Sequence, residues 1–285
     1  MKKWLPSLFC SAINGQIVNV RLKFTKTCCK LNRMNLYEAI FQRKSTRKYL
    51  MEPVEASKLA AIGAFYEEAP SLFPGIRTEI GITDNTDGKH APKGFFGVRA
   101  PYYLTIYSEK KDRFMMNAGC IMEQLSLYML TLGLGSCFLG GVSYRQKRDD
   151  LEPVIIMAFG KSAGALTRRA TEAKRIPMHE LCIFKEEPRH WTQDVMEAAR
   201  LAPSAMNSQP WRFVIMKSRI HFFSKKRDID RFGKWDEFSF GCLFAHVLVT
   251  AEEQWLDVDL IRLENISQKN FRSSQYVLSA LIKAE

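Results

Sequence analysis

The sequence lacks the spacings that announce most metal and redox centres. Its cysteines are seven, odd in number and scattered, and none forms a Cys-x-x-Cys pair. That argues against both a zinc site and a disulfide framework, and it fits a reducing, cytoplasmic setting. The five histidines show no ligand spacing, and His179-Glu180 is not followed by a second histidine at the zincin interval. No metal is therefore expected. No Gly-x-Gly-x-x-Gly follows a strand, so a Rossmann nicotinamide domain is not expected, and no nucleophile–base arrangement stands out. Long apolar blocks are missing too. The uncharged run Gln124–Tyr144 is broken by Gly133, Gly135, Gly140 and Gly141, and it reads as a helix entering a glycine-rich loop rather than a membrane span.

Acid is absent from residues 1–33, which hold Lys2, Lys3, Arg21, Lys23, Lys26, Lys30 and Arg33. More than half of the formal net charge of +12 therefore sits in this one stretch, and the rest of the chain does not call for a nucleic acid or membrane partner. The apolar stretch Trp4–Phe9 is short and contains Pro6, so a cleaved signal peptide fits poorly. Residues 1–33 read instead as a basic extension that need not belong to the fold, with Met34 as a candidate start. The remainder has an ordinary globular balance, 46% hydrophobic and 25% charged over 285 residues, ample for a buried core.

Periodicity predicts helices over Asn35–Gln42, Val54–Phe65, Met116–Leu132 capped by Gly133, Trp191–Leu201 and Phe240–Trp255. Strands are expected over Arg77–Ile82, Tyr102–Tyr107, Val154–Gly160, Trp211–Met216 and His221–Ser224. Phe138–Val142 reads as a glycine-containing loop, and Leu256–Glu285 shows only patchy helical character. The two long helices match each other in part, with Gly119-Cys120-Ile121-Met122 against Gly241-Cys242-Leu243-Phe244. This is a weak internal repeat with a period of about 120 residues.

Three segments carry candidate chemistry. Arg43-Lys44-Ser45-Thr46-Arg47 is a basic turn whose guanidinium and hydroxyl groups can converge on a phosphate. Leu134–Gly141 is glycine-rich, so a flat ligand could approach its backbone. Ala202–Trp211, Ala-Pro-Ser-Ala-Met-Asn-Ser-Gln-Pro-Trp, is stiffened by two prolines and supplies Ser, Asn and Gln as donors and acceptors.

Together these segments resemble the FMN-dependent nitroreductase family over roughly residues 35–260. The matching features are Arg-x-Ser-x-Arg, Gly-Leu-Gly-Ser leading to Leu-Gly-Gly after a long helix, a buried strand ending in Phe159-Gly160, and Ala-Pro-Ser-x-x-Asn-x-Gln-Pro-Trp. Their order departs from the family pattern. Where the Pro-Ser-x-x-Asn segment should follow the basic turn lies Ala69-Pro70-Ser71-Leu72-Phe73-Pro74-Gly75, without the Asn or the Pro-Trp. The full segment stands in the second half, which in turn has no Arg-x-Ser-x-Arg. The losses are complementary. The chain is similar to the fused subgroup called putative TM nitroreductases.

What the resemblance implies is an α+β, nitroreductase-like fold. Two related halves, 34–180 and 181–285, would be fused as an intrachain pseudo-dimer of antiparallel or mixed sheets flanked by helices, with one surviving FMN site. Arg43, Lys44 and Ser45 would hold the FMN phosphate, and Arg47 the N1/C2-carbonyl edge of the ring, where a cation favours reduction. Leu139, Gly140 and Gly141 would border the ring, with a backbone N–H of this loop near N5, so Arg47 and Gly140 are the candidate catalytic positions. Lys174 or Arg175 would also bind phosphate, with Arg168 and Arg169 competing for that role. Pro203, Ser204 and Asn207 would face the ring and ribityl chain, while Gln209 and Trp211 hold their loop. His246 reads as a packed or partly exposed helical histidine, and Phe114, Tyr144 and Trp235 as core or acceptor-pocket aromatics. NADH or NADPH would donate a hydride, and a nitroaromatic, quinone or other conjugated molecule would accept it. A non-catalytic FMN carrier or sensor is the alternative. A monomer is expected to suffice, with a homodimer open.

Overall fold

A computed structural model describes residues 17–18, 34–94, 98–143, 148, 150–225, 229–267 and 274–283. In chain order the elements are β1 (Ile17–Val18), α1 (Leu36–Gln42), α2 (Ala56–Glu68), β2 (Thr78–Asp84), β3 (Lys93–Gly94), β4 (Tyr102–Ser108), α3 (Phe114–Thr131), β5 (Gly135–Leu139), β6 (Val142–Ser143) and β7 (Glu152–Gly160). The second half follows with α4 (Met178–Leu181), β8 (Cys182–Phe184), α5 (His190–Leu201), β9 (Trp211–Ile215), β10 (Arg219–Lys225), α6 (Ile229–Glu253), β11 (Asp257–Ile261), α7 (Glu264–Ser267) and β12 (Ser274–Lys283). The chain is thus α+β, with two main sheets and flanking helices.

The sheets follow one plan. The first has the order β2-β4-β7-β5 and is antiparallel throughout. The second contains the same sequence of strands, β9-β10-β12-β11, also antiparallel, with β8 added in parallel on β9 and β1 on β11. In each run of four, a long helix connects the second strand to the fourth. Each second strand also carries a register shift, between Ile106 and Tyr107 in β4 and between Phe222 and Phe223 in β10.

The two long helices α3 and α6 pack against each other through glycine. A Cβ on Gly119 would lie 2.2 Å from the carbonyl oxygen of Phe238, and one on Gly241 would lie 2.1 Å from that of Met116. The backbones touch where no side chain fits. The contact is reciprocal, each glycine meeting the carbonyl three residues before the other. The same helices receive the two loops alike: Asn117 Oδ1 accepts from the Phe73 amide at 2.9 Å, and Ser239 Oγ accepts from the Ala205 amide at 3.1 Å. The core lies on both faces of this helix pair. One cluster joins α5, α6 and the second sheet around Trp211, Phe213, Phe222 and Phe244; the other joins α3 to the first sheet around Leu104, Met122, Leu125 and Phe159.

Four expectations are corrected. Phe138 does not open a loop, since Gly135–Leu139 is strand β5 at the edge of the first sheet. Cys137 packs with Tyr103 and Ala158 while Phe138 packs on the opposite cluster, so both faces are covered. The segment after Trp255 contains two strands rather than patchy helix; Tyr276, Leu278, Ala280 and Ile282 are buried at alternate positions, the period of a strand. Helix α6 begins at Ile229 rather than Phe240. Finally, Ile17 and Val18 pair with Ile261 and Leu260, so the basic extension contributes an edge strand. Tyr144 and part of the region 84–97 lie outside the described residues.

Candidate anion and ligand site

The basic turn is placed by three neighbours. An Asn35–Glu38 capping box starts α1, and the helix stops at Arg43, whose backbone is extended. Ser45 then bridges Ser136 in β5, and the Thr46 amide donates to the Ser136 carbonyl at 2.9 Å. Gly135 makes this possible, because a Cβ there would lie 2.3 Å from Thr46 Oγ1. So this glycine admits the turn rather than a ligand. On the other side, residues 42–50 run beside 161–168: the Leu50 amide donates to the Lys161 carbonyl, Ala163 to Lys48, and Arg168 to Gln42.

Three guanidinium groups meet there. Arg43 is buried and its Nε lies 2.9 Å from Ser126 Oγ and 3.1 Å from Glu123 Oε1. Arg168 Nε donates to the Arg43 carbonyl at 2.8 Å. Arg175 donates from Nη1 to Asn207 Oδ1 at 2.8 Å and from Nη2 to the Leu201 carbonyl at 2.9 Å. Among the described residues, each guanidinium keeps one buried nitrogen without a hydrogen-bond partner: Arg43 Nη2, Arg168 Nη1 and Arg175 Nε. Burial, then the neighbouring Arg168 and Arg43, push Arg175 down to about 10. Burial and Arg43 lower Arg168 as well. Such crowding of like charge, with unpaired buried donors, is what an anion would relieve.

The second-half loop reaches this cluster under backbone strain. Met206, Asn207 and Gln209 have φ of 52°, 56° and 46°, a region that non-glycine residues occupy at a cost. Surrounding bonds impose it. Ser204 Oγ accepts from the Gln209 amide at 2.9 Å, Gln209 Oε1 accepts from the Ile176 amide at 2.7 Å, and Asn207 Nδ2 donates to the Lys174 carbonyl at 3.0 Å. Gln209 and the fully buried Trp211 therefore hold the loop. Pro203 is buried and Met206 is 84% exposed.

Helix α6 links the loops of both halves. Phe238 meets Phe138 edge-on with ring centroids 5.3 Å apart, while the next residue, Ser239, takes the Ala205 amide. Beyond Phe138, Leu139 is buried, and Gly140 and Gly141 are exposed, with nothing among the described residues within 4 Å of an added Cβ. Arg47 is exposed and carries its charge toward Cys137 and Tyr49. Among the described residues it has no hydrogen bond or ion pair. Lys44 is half-buried and Lys174 exposed; Lys174 enters the cluster through its carbonyl. Arg169 is exposed and pairs with Glu172. Phe114 and Trp235 pack partly buried on the first-half core.

Residues 35–247 match the family pattern described as "Putative TM nitroreductase". The chain belongs to this nitroreductase family, and it is an oxidoreductase of that type. Among solved structures, this nitroreductase is similar to a putative nitroreductase from Thermotoga maritima, at 20% identity and a TM-score of 0.59, with 91% of this chain and 99% of that one covered. That likeness shows the fold. A nitroreductase family protein from Clostridium difficile 630 shares 20% identity at a TM-score of 0.44, covering 54% of this chain and 100% of its own. An FMN-dependent nitroreductase from C. difficile R20291 shares 21% identity at 0.39, covering 48% and 93%. No curated protein matches the chain.

Glu123 and Ser126 were not singled out in the sequence. The signal was present, since Glu123 is the one charged residue within α3. His246 is fully buried and hydrogen-bonded to it. Among the described residues no helix is long and apolar enough to cross a membrane, and no group of His, Cys, Asp and Glu is placed to hold a metal.

Proposed function

We propose that this nitroreductase binds one FMN per chain and transfers reducing equivalents from NADH or NADPH to a conjugated acceptor, such as a nitroaromatic or a quinone. The observation that carries the reading is the trio of unpartnered buried nitrogens on Arg43, Arg168 and Arg175. A phosphate monoester supplies the acceptor oxygens and negative charge these donors lack. Flavin, when bound, supplies the hydride acceptance and release that no side chain here can perform.

The chain's own residues divide the remaining tasks. Arg43, Arg168 and Arg175 grip the phosphate, with Ser45 and Lys44 on the same turn. Asn207 orients Arg175 and, with Pro203 and Ser204, forms the wall contributed by the second half. Arg47 is the cation suited to the electron-rich edge of a reduced ring. The open backbone at Gly140 and Gly141 leaves a flat ligand room beside Leu139 and Phe138. Nothing in this arrangement needs a second nucleotide-binding domain, because donor and acceptor can stack in turn on one ring.

The shared strand order and the reciprocal Gly119–Gly241 contact support reading residues 34–180 and 181–285 as a fused dimer. One site is then complete within a monomer, and the reducing, cytoplasmic setting expected from the cysteines suits it. The loop Pro70–Gly75 marks where the second site would have been. Leu72 is 1% exposed there and packs with Met116, Cys120 and Trp211. The test is to add FMN to the purified chain and follow flavin fluorescence and absorbance, then add NADH or NADPH. Saturation at one equivalent followed by bleaching is the expected result. Binding without bleaching by either nucleotide would identify a flavin carrier instead.

A further inference from the structure

His246 lies at the centre of a buried polar group that the proposed chemistry does not use. It stands on α6, fully buried, between two acceptors. Its Nδ1 is 2.7 Å from the Ala198 carbonyl oxygen and its Nε2 is 2.9 Å from Glu123 Oε1. A carbonyl oxygen only accepts, so Nδ1 carries a proton. A neutral imidazole would then face the carboxylate with a bare lone pair at Nε2. Two acceptors cannot share that distance, so a second proton lies between Nε2 and Oε1. It resides either on the imidazole or on the carboxyl.

The same Oε1 lies 3.1 Å from Arg43 Nε. Charge can therefore be counted without knowing where the proton rests. Arginine, imidazolium and carboxylate sum to plus one, and so do arginine, neutral imidazole and carboxylic acid. Without the shared proton, Glu123 would cancel Arg43 entirely. We propose that Glu123 and His246 form a proton-sharing clamp that positions Arg43 and preserves its positive charge for the anion. They are positioning residues, and the ligand assignment rests on the flavin reading above.

The surroundings favour this role. Glu123 also faces Cys120 on its own helix and Cys242 on α6, and it acts on Arg175. Burial pushes the Cys120 thiol up to about 12 and the Cys242 thiol well above its usual value, so neither supplies or removes charge near neutrality. Ser126 and Ser136 bond each other at 2.9 Å beside Arg43 and are neutral. The clamp joins α1, α3, α5 and α6, and so fixes the anion cradle against both halves.

The test measures FMN and riboflavin binding at pH 7.5 in three chains: wild type, His246→Gln, and Glu123→Gln/His246→Gln. Gln at 246 can still donate to Glu123 but adds no charge, so the trio falls to zero. FMN affinity should drop about tenfold, the size of one charge-assisted bond. Riboflavin, which has no phosphate, should bind each chain alike. The double variant removes the acid as well, and FMN affinity should return to within about threefold of wild type. His246→Gln binding FMN as tightly as wild type, equal weakening of both flavins, or a double variant no better than the single would each overturn the proposal. Should the variants fail to fold, 15N-histidine and 13C-glutamate spectra of the flavin-free wild type decide it. A doubly protonated His246 or a protonated Glu123 is expected; an ionised Glu123 beside a singly protonated His246 contradicts the clamp. A wild type that binds no flavin would strike at the flavin reading instead, and these spectra would still report on the proton.

Discussion

Arg175 and Asn207 hydrogen-bond at 2.8 Å. One follows the last strand of the first sheet and the other sits in the proline-rich loop before β9, so this single bond joins a basic segment beyond the first sheet to the loop that leads into the second. The geometry at Asn207 suits the task, because asparagine tolerates a left-handed backbone better than most residues.

Removing an arginine of the buried cluster should loosen the anion grip. Arg175→Ala and Arg168→Ala should each weaken FMN binding by about 10- to 100-fold, the range of a charge-assisted bond of roughly 1.5–3 kcal/mol. Riboflavin affinity should change less than threefold. Isothermal titration with both flavins checks this, and equal losses for the two would place the arginines away from the phosphate.

Asn207→Ala removes the acceptor and adds strain at φ 56°, so it should weaken FMN binding and also lower the melting temperature. Asn207→Gly removes the acceptor without the strain. It should weaken FMN binding to a similar degree while costing about 1 kcal/mol less stability than Asn207→Ala. Paired thermal melts and titrations separate the two effects.

The α3–α6 contact makes a prediction about packing alone. Gly119→Ala would drive a methyl group into the Phe238 carbonyl, and helix backbone cannot yield locally. A loss of about 2–4 kcal/mol is expected in urea unfolding. Gly63→Ala, in α2, has nothing within 4 Å of the new methyl and should stabilise the chain by about 0.5–1 kcal/mol.

Thiol chemistry follows from burial. With its thiol pushed up to about 12 and no exposed surface, Cys120 should resist alkylation at pH 8 for as long as the chain stays folded. Cys242 should behave likewise. Mass spectrometry of iodoacetamide-treated protein, with and without urea, should show both modified only on unfolding.

Much of the fold was legible because it is written in periodicity. Helices α3 and α5 and strands β4 and β7 lie within two residues of their expected bounds, their apolar residues recurring as burial requires. Strands β11 and β12 were missed although Tyr276, Leu278, Ala280 and Ile282 alternate. The intervening residues include the apolar Val277 and Leu281, which blur a period of two into a continuous run. The early turns of α6 escaped because Asp230-Arg231-Phe232-Gly233-Lys234 is polar and holds a glycine, a poor helix signal. Of the candidate site, the basic turn and the proline-rich loop announced themselves by composition. The Arg43–Glu123–His246 group did not, since its members lie far apart in sequence and only the packing of α3 on α6 unites them.

The central claim is that three crowded arginines await the phosphate of a flavin. The most direct measurement is a fluorescence titration of the purified chain with FMN, repeated with riboflavin. Saturable quenching at one FMN per chain, with riboflavin bound at least tenfold more weakly, is the predicted result. Equal affinity for both flavins, or no uptake of FMN, would contradict it.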